Sequence, residues 1–201
     1  MIIHDVQQGT HEWHQLRLGK ITSTRLKKVL AKDNLSLVDE MIAEEETGFA
    51  DEDDFVSEEM QRGIDLEPVA IKEYESITGT TVTRYGFLQS EEIPVLCQSP
   101  DGYVGTNGAV EVKCPKTKTH IKYIRMGKLP NEYKEQVWCY FMVNPALQWL
   151  DFISYDPRLT KKPIWIHRIL RSDIQEDIDT ATAELIKFTD KLEKYKNEIF
   201  F

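Results

Sequence analysis

The sequence predicts a mixed α/β fold in which a central mixed β-sheet is flanked by helices. Apolar residues recur with helical spacing through most of residues 10–78. From residue 79 to 115 the pattern changes to short β-branched and aromatic runs separated by Gly, Asn and Pro, which is typical of strands joined by turns. Helical and strand patterns then alternate up to a closing helix, and this order of elements favours an α/β core.

A chain of 201 residues with 41% hydrophobic residues is long enough to bury one sizeable core, so we expect a single domain over residues 1–201. The segment MIIHDVQQG lacks the features of a signal peptide, and no apolar stretch approaches the ~18–20 residues that span a bilayer. We therefore expect a cytoplasmic protein without membrane segments. The three cysteines are too widely spaced for a disulfide framework or a zinc knuckle, and are expected to be reduced and mostly buried.

The amino-terminal part is predicted to be helical over residues 10–17, 22–31, 35–47 and about 56–78. Thr22 or Ser23 is the expected N-cap of the second helix. In the fourth helix, Pro68 is expected to kink the helix or mark a restart, and Gly79 to end it. Its predicted buried stripe consists of Val69, Ala70, Tyr74 and Ile77. The acidic stretch 47–54 is predicted to be a solvated loop.

Strands are predicted as a meander in the segments TTVTRYGFLQ, VLCQSPDGYVG and GAVEVKCP, and again in ALQWLDFISY and KPIWIHRIL. Residues 116–128 and 131–143 return to helical spacing between these two groups. The chain closes with a predicted amphipathic helix over residues 172–198. The residues expected on its buried face are Ile174, Ile178, Ala181, Leu185, Phe188 and Leu192.

The formal net charge of −9 argues at first against a nucleic-acid partner, because Lys and Arg supply most of the non-specific affinity for phosphate. The charges are unevenly distributed, however. Acidic residues concentrate between Glu44 and Glu59, whereas the segment from Lys113 to Lys128 contains several basic residues and no acid. One face of an acidic protein can therefore be basic enough to bind DNA.

The segments that carry chemistry are Ser99-Pro100-Asp101-Gly102 and Glu111-Val112-Lys113-Cys114-Pro115. Asp101 is expected at the turn that ends one strand, and Glu111 and Lys113 lie two residues apart on the next strand. Because side chains alternate along a strand, Glu111 and Lys113 share one face while Val112 points into the core on the other. Two carboxylates and an ammonium group therefore converge at one edge of the sheet.

This set of groups suits phosphodiester hydrolysis. Hard oxygen ligands select Mg²⁺ or Mn²⁺, and two such ions hold both the attacking and the leaving oxygen of an in-line displacement. Lys113 orients or helps to activate the attacking water, or stabilises the charge of the transition state, and the sequence leaves these roles open. A surface salt bridge is the alternative, since D…ExK patterns arise by chance in a chain with 29% charged residues. The apolar strand, the PDG turn and the proline after the lysine favour the catalytic interpretation.

Two further groups of polar residues are candidates for the same site. Tyr140 follows Gln136 by four residues and Tyr133 precedes it by three, so a helix places the three side chains on one face. They point together at a phosphate or at the metal site, or else they pack as an ordinary amphipathic face. Glu67 lies on the predicted helix 56–78, where a lone glutamate is usually solvated.

Taken together, these segments resemble the phage lambda exonuclease family, which is grouped with the YqaJ-type viral recombinases within the restriction-endonuclease-like, or PD-(D/E)XK, nucleases. The resemblance covers most of the chain in ordered segments at compatible spacing. These are Glu12 to Gly19 followed by Ile21-Thr22, Gly63 to Glu67, the SPDG and EVKCP segments, Tyr133 to Gln136, and Tyr155-Asp156-Pro157-Arg158. The resemblance implies a restriction-endonuclease-like core.

The resemblance also implies roles for individual residues. The implied ligands of the two Mg²⁺ ions are Glu67, Asp101, Glu111 and the backbone carbonyl of Val112, and the implied catalytic lysine is Lys113. The implied pocket for a 5′-phosphate consists of Arg17, Thr24, Ser99 and Gln136. A guanidinium, two hydroxyls and an amide are suitable phosphate donors. Trp13 is implied to stack on the DNA end, and Met60 either wedges between bases at that end or packs in the core.

The resemblance further implies a Mg²⁺-dependent 5′→3′ exonuclease that degrades linear double-stranded DNA, releases mononucleotides and leaves 3′ single-stranded overhangs for recombination by strand annealing. It implies a homotrimeric ring around the duplex, a single-strand annealing protein as partner, and a phage or prophage gene expressed in a bacterial host. The basic residues expected to face the channel are Lys116, Lys118, Lys122, Arg125 and Lys128. The alternatives are a sequence- or structure-specific endonuclease with the same core, and a module that binds DNA ends without cutting.

Overall fold

The computed structural model describes residues 1–50 and 57–201. The helices in these residues are α1 (His11–Arg17), α2 (Ser23–Val29), α3 (Leu35–Thr47), α4 (Glu58–Thr78), α5 (Thr117–Met126), α6 (Lys134–Val143) and α7 (Gln175–Phe200). The strands are β1 (Ile2–His4), β2 (Val82–Thr83), β3 (Phe87–Gln89), β4 (Cys97–Gln98), β5 (Gly102–Val104), β6 (Gly108–Lys113), β7 (Trp149–Tyr155) and β8 (Ile164–Leu170). Short 3₁₀ turns cover Asn131–Tyr133 and Arg171–Asp173.

The larger sheet has the strand order β2-β5-β6-β7-β8. Strands β6 and β7 run parallel, with Glu111 opposite Phe152 and Lys113 opposite Ser154, while the other neighbouring pairs are antiparallel. A parallel pair requires a crossover connection, and helices α5 and α6 provide it. The sheet is therefore mixed, and β6 lies in its interior between β5 and β7.

Helices cover both faces of this sheet. On one face, Ala70, Ile71 and Tyr74 of α4 pack with Val110, Val112 and Ile153. On the other face, Ala109, Leu150 and Phe152 join a larger apolar cluster to which α2, α3, α5, α6 and α7 all contribute. The prediction of a central mixed sheet flanked by helices is confirmed. Because both faces are covered, β6 offers functional groups to solvent only near its end.

The predicted helices are present, with their ends shifted by a few residues at most. The buried face of α7 is confirmed by Ile178, Ala181, Leu185, Phe188 and Leu192, and Ile174 at its N-cap is half-buried. Gly79 caps α4 in the left-handed conformation, with φ of 68°. The three cysteines are free, and Cys97 and Cys139 are buried. Among residues 1–50 and 57–201, no helix is long and apolar enough to cross a membrane.

The predicted buried stripe of α4 is partly wrong. Val69 and Ile77 are 46% and 55% exposed, whereas Ile71 is buried beside Ala70 and Tyr74. The buried stripe is narrow because the sheet contacts only the face that residues 70, 71 and 74 share. The helix also runs without a break from Glu58 to Thr78, so Pro68 does not mark a restart.

The acidic segment is only partly a loop. Glu44 is 2% exposed at the end of α3, where its carboxylate accepts hydrogen bonds from Arg25 and from the backbone N–H of Gly19 at 2.9 Å. This carboxylate is buried because a guanidinium and a backbone donor satisfy it. Of the loop predicted over residues 47–54, residues 51–56 lie outside the described residues.

The prediction of one continuous strand meander after residue 79 is also wrong. Strands β3 and β4 leave the central sheet and form a small antiparallel sheet with β1, in the order β1-β3-β4. The segment SPDG therefore connects two sheets. Asp101 stands at that junction, immediately before β5, and the junction places it beside the main sheet.

Candidate active site

Glu111 and Lys113 lie on the face of β6 that α6 covers. The Nζ atom of Lys113 is 2.6 Å from Oε1 of Glu111. Val112 points to the opposite face and packs against α4, with 6% of its surface exposed. The alternation predicted for Glu111, Val112 and Lys113 is confirmed, and it places an ion pair at the carboxyl end of an otherwise apolar strand.

Asp101 is fixed to the middle of this motif. Its Oδ2 accepts a hydrogen bond from the backbone N–H of Val112 at 2.6 Å. Burial raises the pKa of Asp101 well above its usual range, and the nearby carboxylates of Glu111 and Glu67 raise it further, against the opposing effect of Lys113. Carboxylates that repel each other in a buried place favour the approach of a cation.

Tyr140 on α6 organises the two carboxylates. Its hydroxyl accepts the backbone N–H of Asp101 at 3.0 Å, and its oxygen lies 2.8 Å from Oε2 of Glu111 and 3.1 Å from the carbonyl of Val110, either of which can accept its proton. Burial and the charge of Glu111 raise the pKa of this phenol well above its usual range, so it remains a donor. The sequence left packing and polar contact as alternatives for Tyr140. In the structure its side chain does both.

Lys113 is held as an ammonium ion in this arrangement. Burial alone lowers the pKa of its amine, but the charges of Glu111 and Asp101 outweigh burial and raise the pKa above its ordinary value. The Nζ atom also lies 5.1 Å from the centre of the Tyr133 ring, on which a cation is stabilised. The group is therefore equipped to donate hydrogen bonds to an oxygen or to a developing negative charge.

Glu67 reaches the same place from α4, the helix on the opposite face of the sheet. Its carboxylate is half-buried and forms an ion pair with Arg84. Burial raises the pKa of Glu67 and the charge of Glu111 contributes to the rise, while Arg84 and Lys113 lower it. Electrostatic interaction thus links Glu67 to the β6 motif across the two layers of the fold.

The donor set fits a hard divalent cation in its chemistry. It consists of carboxylate oxygens and the Val112 carbonyl, the ligand types that Mg²⁺ and Mn²⁺ prefer. Within the part of the chain that the structure describes, no three His, Cys, Asp or Glu side chains are gathered closely enough to hold an ion as they stand. In this arrangement Glu67 is paired with Arg84, and Glu111 is paired with Lys113.

A second cluster lies next to the carboxylates. The indole Nε1 of Trp13 donates to Oγ of Ser99 at 2.8 Å, and Nη1 of Arg17 approaches the same oxygen at 3.4 Å. The Arg17 guanidinium stacks on the Trp13 ring at 4.2 Å. Since Ser99 is separated from Asp101 only by Pro100, this Trp13–Arg17–Ser99 cluster adjoins the carboxylates.

The other predicted phosphate ligands lie on neighbouring helices. Thr24 is exposed on α2, where its hydroxyl is 3.2 Å from that of Thr22, and α2 packs against α6, which carries Gln136. The Oε1 atom of Gln136 is buried without a hydrogen-bond partner among the described residues. A direct contact of Thr24 or Gln136 with Ser99 is not among the hydrogen bonds of the described residues. Met60 is 56% exposed at the start of α4, so packing in the core is excluded for it.

Sequence reasoning missed a buried carboxylate behind the site. Asp156 is fully buried and accepts hydrogen bonds from Arg62 on α4 at 2.8 Å, from Thr117 at the start of α5, and from Arg158 at 2.9 Å. Arg62 also donates to the carbonyl of Cys114, just after β6, at 3.2 Å. This Asp156 network ties α4 to the end of β6. Its only sequence signal was the YDPR segment, to which no role was assigned.

Comparison with known proteins identifies the family of the chain. A family model described as the YqaJ-like viral recombinase domain matches residues 12–146. The chain belongs to the YqaJ-like viral recombinase family. The resemblance to this family that the sequence predicted is confirmed.

Solved structures extend the match to nearly the whole chain. The alkaline exonuclease LHK-Exo from Laribacter hongkongensis is 35% identical, with a TM-score of 0.79, over 94% of this chain and 98% of that chain. The structure of LHK-Exo in complex with dAMP matches to the same extent. A phage-related exonuclease from Haemophilus somnus 129PT, at 16% identity and a TM-score of 0.57, covers 88% of this chain and 96% of its own and shows the fold alone. The comparison with curated proteins finds no significant match.

These findings establish the fold and the broad class of the protein. The fold is restriction-endonuclease-like, as predicted. The family and the LHK-Exo match support a nuclease of the exonuclease type.

Proposed function

We propose that the protein is a Mg²⁺-dependent 5′→3′ exonuclease that acts on linear double-stranded DNA, releases mononucleotides and leaves 3′ single-stranded overhangs. The observation that carries the proposal is the adjacency of two clusters. Ser99 belongs to the Trp13–Arg17–Ser99 cluster, and Asp101, two residues later, is bonded to the Val112 N–H beside Glu111 and Lys113. Two residues span at most about 7 Å, comparable to one nucleotide unit of a DNA strand. A terminal phosphate held at Ser99 therefore leaves the next phosphodiester at the carboxylates.

Different residues of this chain have different roles in the proposed reaction. Glu67, Asp101, Glu111 and the Val112 carbonyl are the proposed ligands of two Mg²⁺ ions, with Mn²⁺ as a substitute. When bound, such ions stabilise the attacking and leaving oxygens of an in-line displacement. Lys113 donates hydrogen bonds to the attacking water or to the reacting phosphate, and Tyr140 holds the Glu111 carboxylate in place.

The direction of digestion follows from which end of the strand the cluster holds. A 5′-terminal phosphate carries two negative charges and accepts well from a guanidinium, a hydroxyl and an amide, which Arg17, Ser99 and Gln136 offer. A 3′-hydroxyl end has no such group. The complex of LHK-Exo with dAMP, a mononucleotide, agrees with release of single nucleotides by a relative of this chain.

A ring of subunits explains how an acidic protein follows DNA. We propose a homotrimer in which α5 faces the duplex, since its basic residues are all exposed: Lys116, Lys118, Lys122, Arg125 and, just after the helix, Lys128. Enclosure of the duplex keeps the enzyme on DNA without strong local affinity. In recombination the proposed partner is a single-strand annealing protein that takes up the 3′ overhang, within the bacterial cell where the phage DNA is processed.

The proposal is tested with one linear duplex that carries a 5′-phosphate at one end and a 5′-hydroxyl at the other. Nucleotide release is followed from each end with Mg²⁺, with Mn²⁺ and with a chelator. We expect digestion from the phosphorylated end, none in the chelator, and none by Lys113→Ala, which still binds the duplex.

Other outcomes are equally informative. Equal digestion from both ends keeps the nuclease and removes the phosphate pocket. Discrete fragments from covalently closed plasmid indicate an endonuclease with the same core. Binding of DNA ends without release of nucleotides by the wild-type protein in either metal indicates a module that binds ends and does not cut.

A further inference from the structure

Arg84 contacts a proposed metal ligand but has no role in the proposed reaction. It follows β2 directly, and the preceding residue, Thr83, pairs with Tyr103 of β5, which lies two residues after Asp101. Its guanidinium forms an ion pair with Glu67. The side chain of Arg84 is 51% exposed and that of Glu67 is 24% exposed. The pair therefore stands at the solvent side of the carboxylate cluster.

Around this pair the carboxylates outnumber the basic side chains. Glu67 interacts electrostatically with Arg84, Glu111 and Lys113, and Asp101 interacts with Glu111, Lys113 and Glu67. Entry of divalent cations among the carboxylates places like charges beside the Arg84 guanidinium. The repulsion between a divalent ion and a neighbouring guanidinium opposes the ion pair, and Glu67 cannot serve both partners fully.

We propose that Arg84 is an exchangeable counter-ion of Glu67: it pairs with this carboxylate before metal binding, is displaced by the metal, and then binds a phosphate of the DNA strand. The inference rests on the proposed metal-dependent nuclease. The inference assigns Arg84 a positioning role. Arg84 acts on the metal through Glu67, and it contacts the substrate only after the metal has displaced it.

The geometry of the pair suits exchange. An ion pair that is half exposed contributes little free energy, so a competing cation displaces it readily. The released guanidinium has a planar fork that binds a phosphate oxygen pair well. The pair Arg25–Glu44 in the same protein shows the opposite case: its side chains are 10% and 3% exposed, and Glu44 is also bonded to the Gly19 N–H. That pair has a structural role and no path for exchange.

The first test measures metal binding without DNA. Mn²⁺ and Mg²⁺ are titrated calorimetrically into wild-type protein, Arg84→Gln, Arg84→Lys and the control Lys187→Gln, which removes an exposed charge from a pair on α7. Removal of the competing guanidinium is expected to lower the metal Kd by about two- to fivefold, with the lysine variant between the two and the control unchanged. Equal or weaker binding by Arg84→Gln overturns the exchange. Absence of metal binding by the wild-type protein instead overturns the proposed function.

The second test measures DNA binding with and without metal. Linear duplex with a 5′-phosphate is titrated against salt in Ca²⁺, to limit hydrolysis, and in a chelator. In Ca²⁺, Arg84→Gln is expected to bind about three- to tenfold more weakly than wild type, with a salt slope lower by about one phosphate contact. In the chelator the two proteins are expected to bind equally, because Arg84 is then held by Glu67. An equal loss under both conditions makes Arg84 an ordinary phosphate contact and rejects the exchange.

Discussion

The hydroxyl oxygen of Tyr140 lies 2.8 Å from the carboxylate of Glu111, and the same hydroxyl accepts the backbone N–H of Asp101 at 3.0 Å. One buried phenol thereby holds two proposed metal ligands, one on β6 and one in the turn before β5. The hydroxyl is fixed by its helix, since Tyr140 packs in the apolar layer between α6 and the sheet with 1% of its surface exposed. The side chain of Tyr140 therefore both packs in the core and holds the two carboxylate residues of the proposed metal site.

Tyr140→Phe is expected to lower the metal affinity or the rate of DNA hydrolysis by about 10- to 100-fold, because groups that orient metal ligands have effects of this size. Calorimetric titration with Mn²⁺ and single-turnover hydrolysis measure the two quantities. Tyr74→Phe is the matched control, since it removes a buried phenol that donates to Asp151 at 2.7 Å. If both variants lose stability but keep the metal affinity and the rate of hydrolysis of the wild type, Tyr140 is a packing residue.

Arg17→Gln is expected to reduce the ratio of kcat/KM for 5′-phosphorylated over 5′-hydroxyl duplex by about 10- to 100-fold, since a charge-assisted hydrogen bond contributes about 1.5–3 kcal/mol. The variant keeps the carboxylates and Lys113 intact, so digestion of the hydroxyl end should change little. Trp13→Phe is the companion variant: it keeps an aromatic ring under Arg17 but removes the donor to Ser99. An unchanged ratio in Arg17→Gln removes Arg17 from the pocket.

Met60→Ala tests a wedge at the DNA end. Because Met60 is 56% exposed, the free energy of unfolding should change by no more than about 0.5 kcal/mol. We expect slower initiation on blunt duplex and a normal rate on ends with unpaired 5′ nucleotides, which have already lost their stacking. Ile64→Ala, 59% exposed one turn later, is the control. Equal rates for Met60→Ala and wild type on blunt ends contradict the wedge.

The residues of the site that follow a local rule were predictable. The period of two along a strand placed Glu111, Lys113 and Val112 on their correct faces, and the PDG turn placed Asp101 beside them. The helices were predictable for the same reason, because apolar spacing is local. The buried stripe of α4 was not, because the burial of Ile71 and the exposure of Val69 depend on how the helix packs on the sheet.

The supporting contacts were beyond sequence reasoning because they join distant segments. Arg62 and Asp156 are 94 residues apart in the chain and meet as an ion pair. Arg84 reaches Glu67 from the connection after β2, and no periodicity relates the two residues. Likewise, the local sequence does not reveal whether the SPDG segment joins two strands of one sheet or connects two different sheets. These relations depend on how layers pack, and only three-dimensional structure supplies them.

Replacement of the exposed basic residues on α5 is expected to weaken DNA binding in a salt-dependent way. If Lys118, Lys122 and Arg125 each contact a phosphate, changing all three to Gln lowers the slope of log Kd against log salt by about three. The control changes Lys187 and Lys194, which are both 70% exposed on α7. The slope is measured with wild-type and variant proteins on the same linear duplex. An unchanged slope places the duplex elsewhere.

Asp156→Asn is expected to destabilise the fold by about 2–3 kcal/mol at neutral pH, because the buried carboxylate accepts several hydrogen bonds from charged donors. Although burial raises the pKa of Asp156, its bonds to Arg158 and Thr117 hold that pKa well below the usual range. A carboxyl whose pKa is lower in the folded state stabilises the fold above its unfolded pKa, about 3.9. The stability difference between wild type and Asp156→Asn should therefore be full near pH 7 and shrink as the pH falls below about 4. Urea unfolding at several pH values measures it.

The same variant separates stability from positioning. Arg62 bonds both Asp156 and the Cys114 carbonyl, so loss of the Asp156 charge loosens α4, which carries Glu67, from the end of β6. Asp151→Asn disrupts a comparable buried carboxylate, bonded to Arg168 and Tyr74 away from β6's carboxyl end. Both variants should unfold at lower urea concentration, but only Asp156→Asn should raise the Kd for Mn²⁺ in the folded protein. Equal metal affinity in the two variants would mean that the Asp156 network supports the fold alone and that Glu67 is positioned by packing of α4 on the sheet.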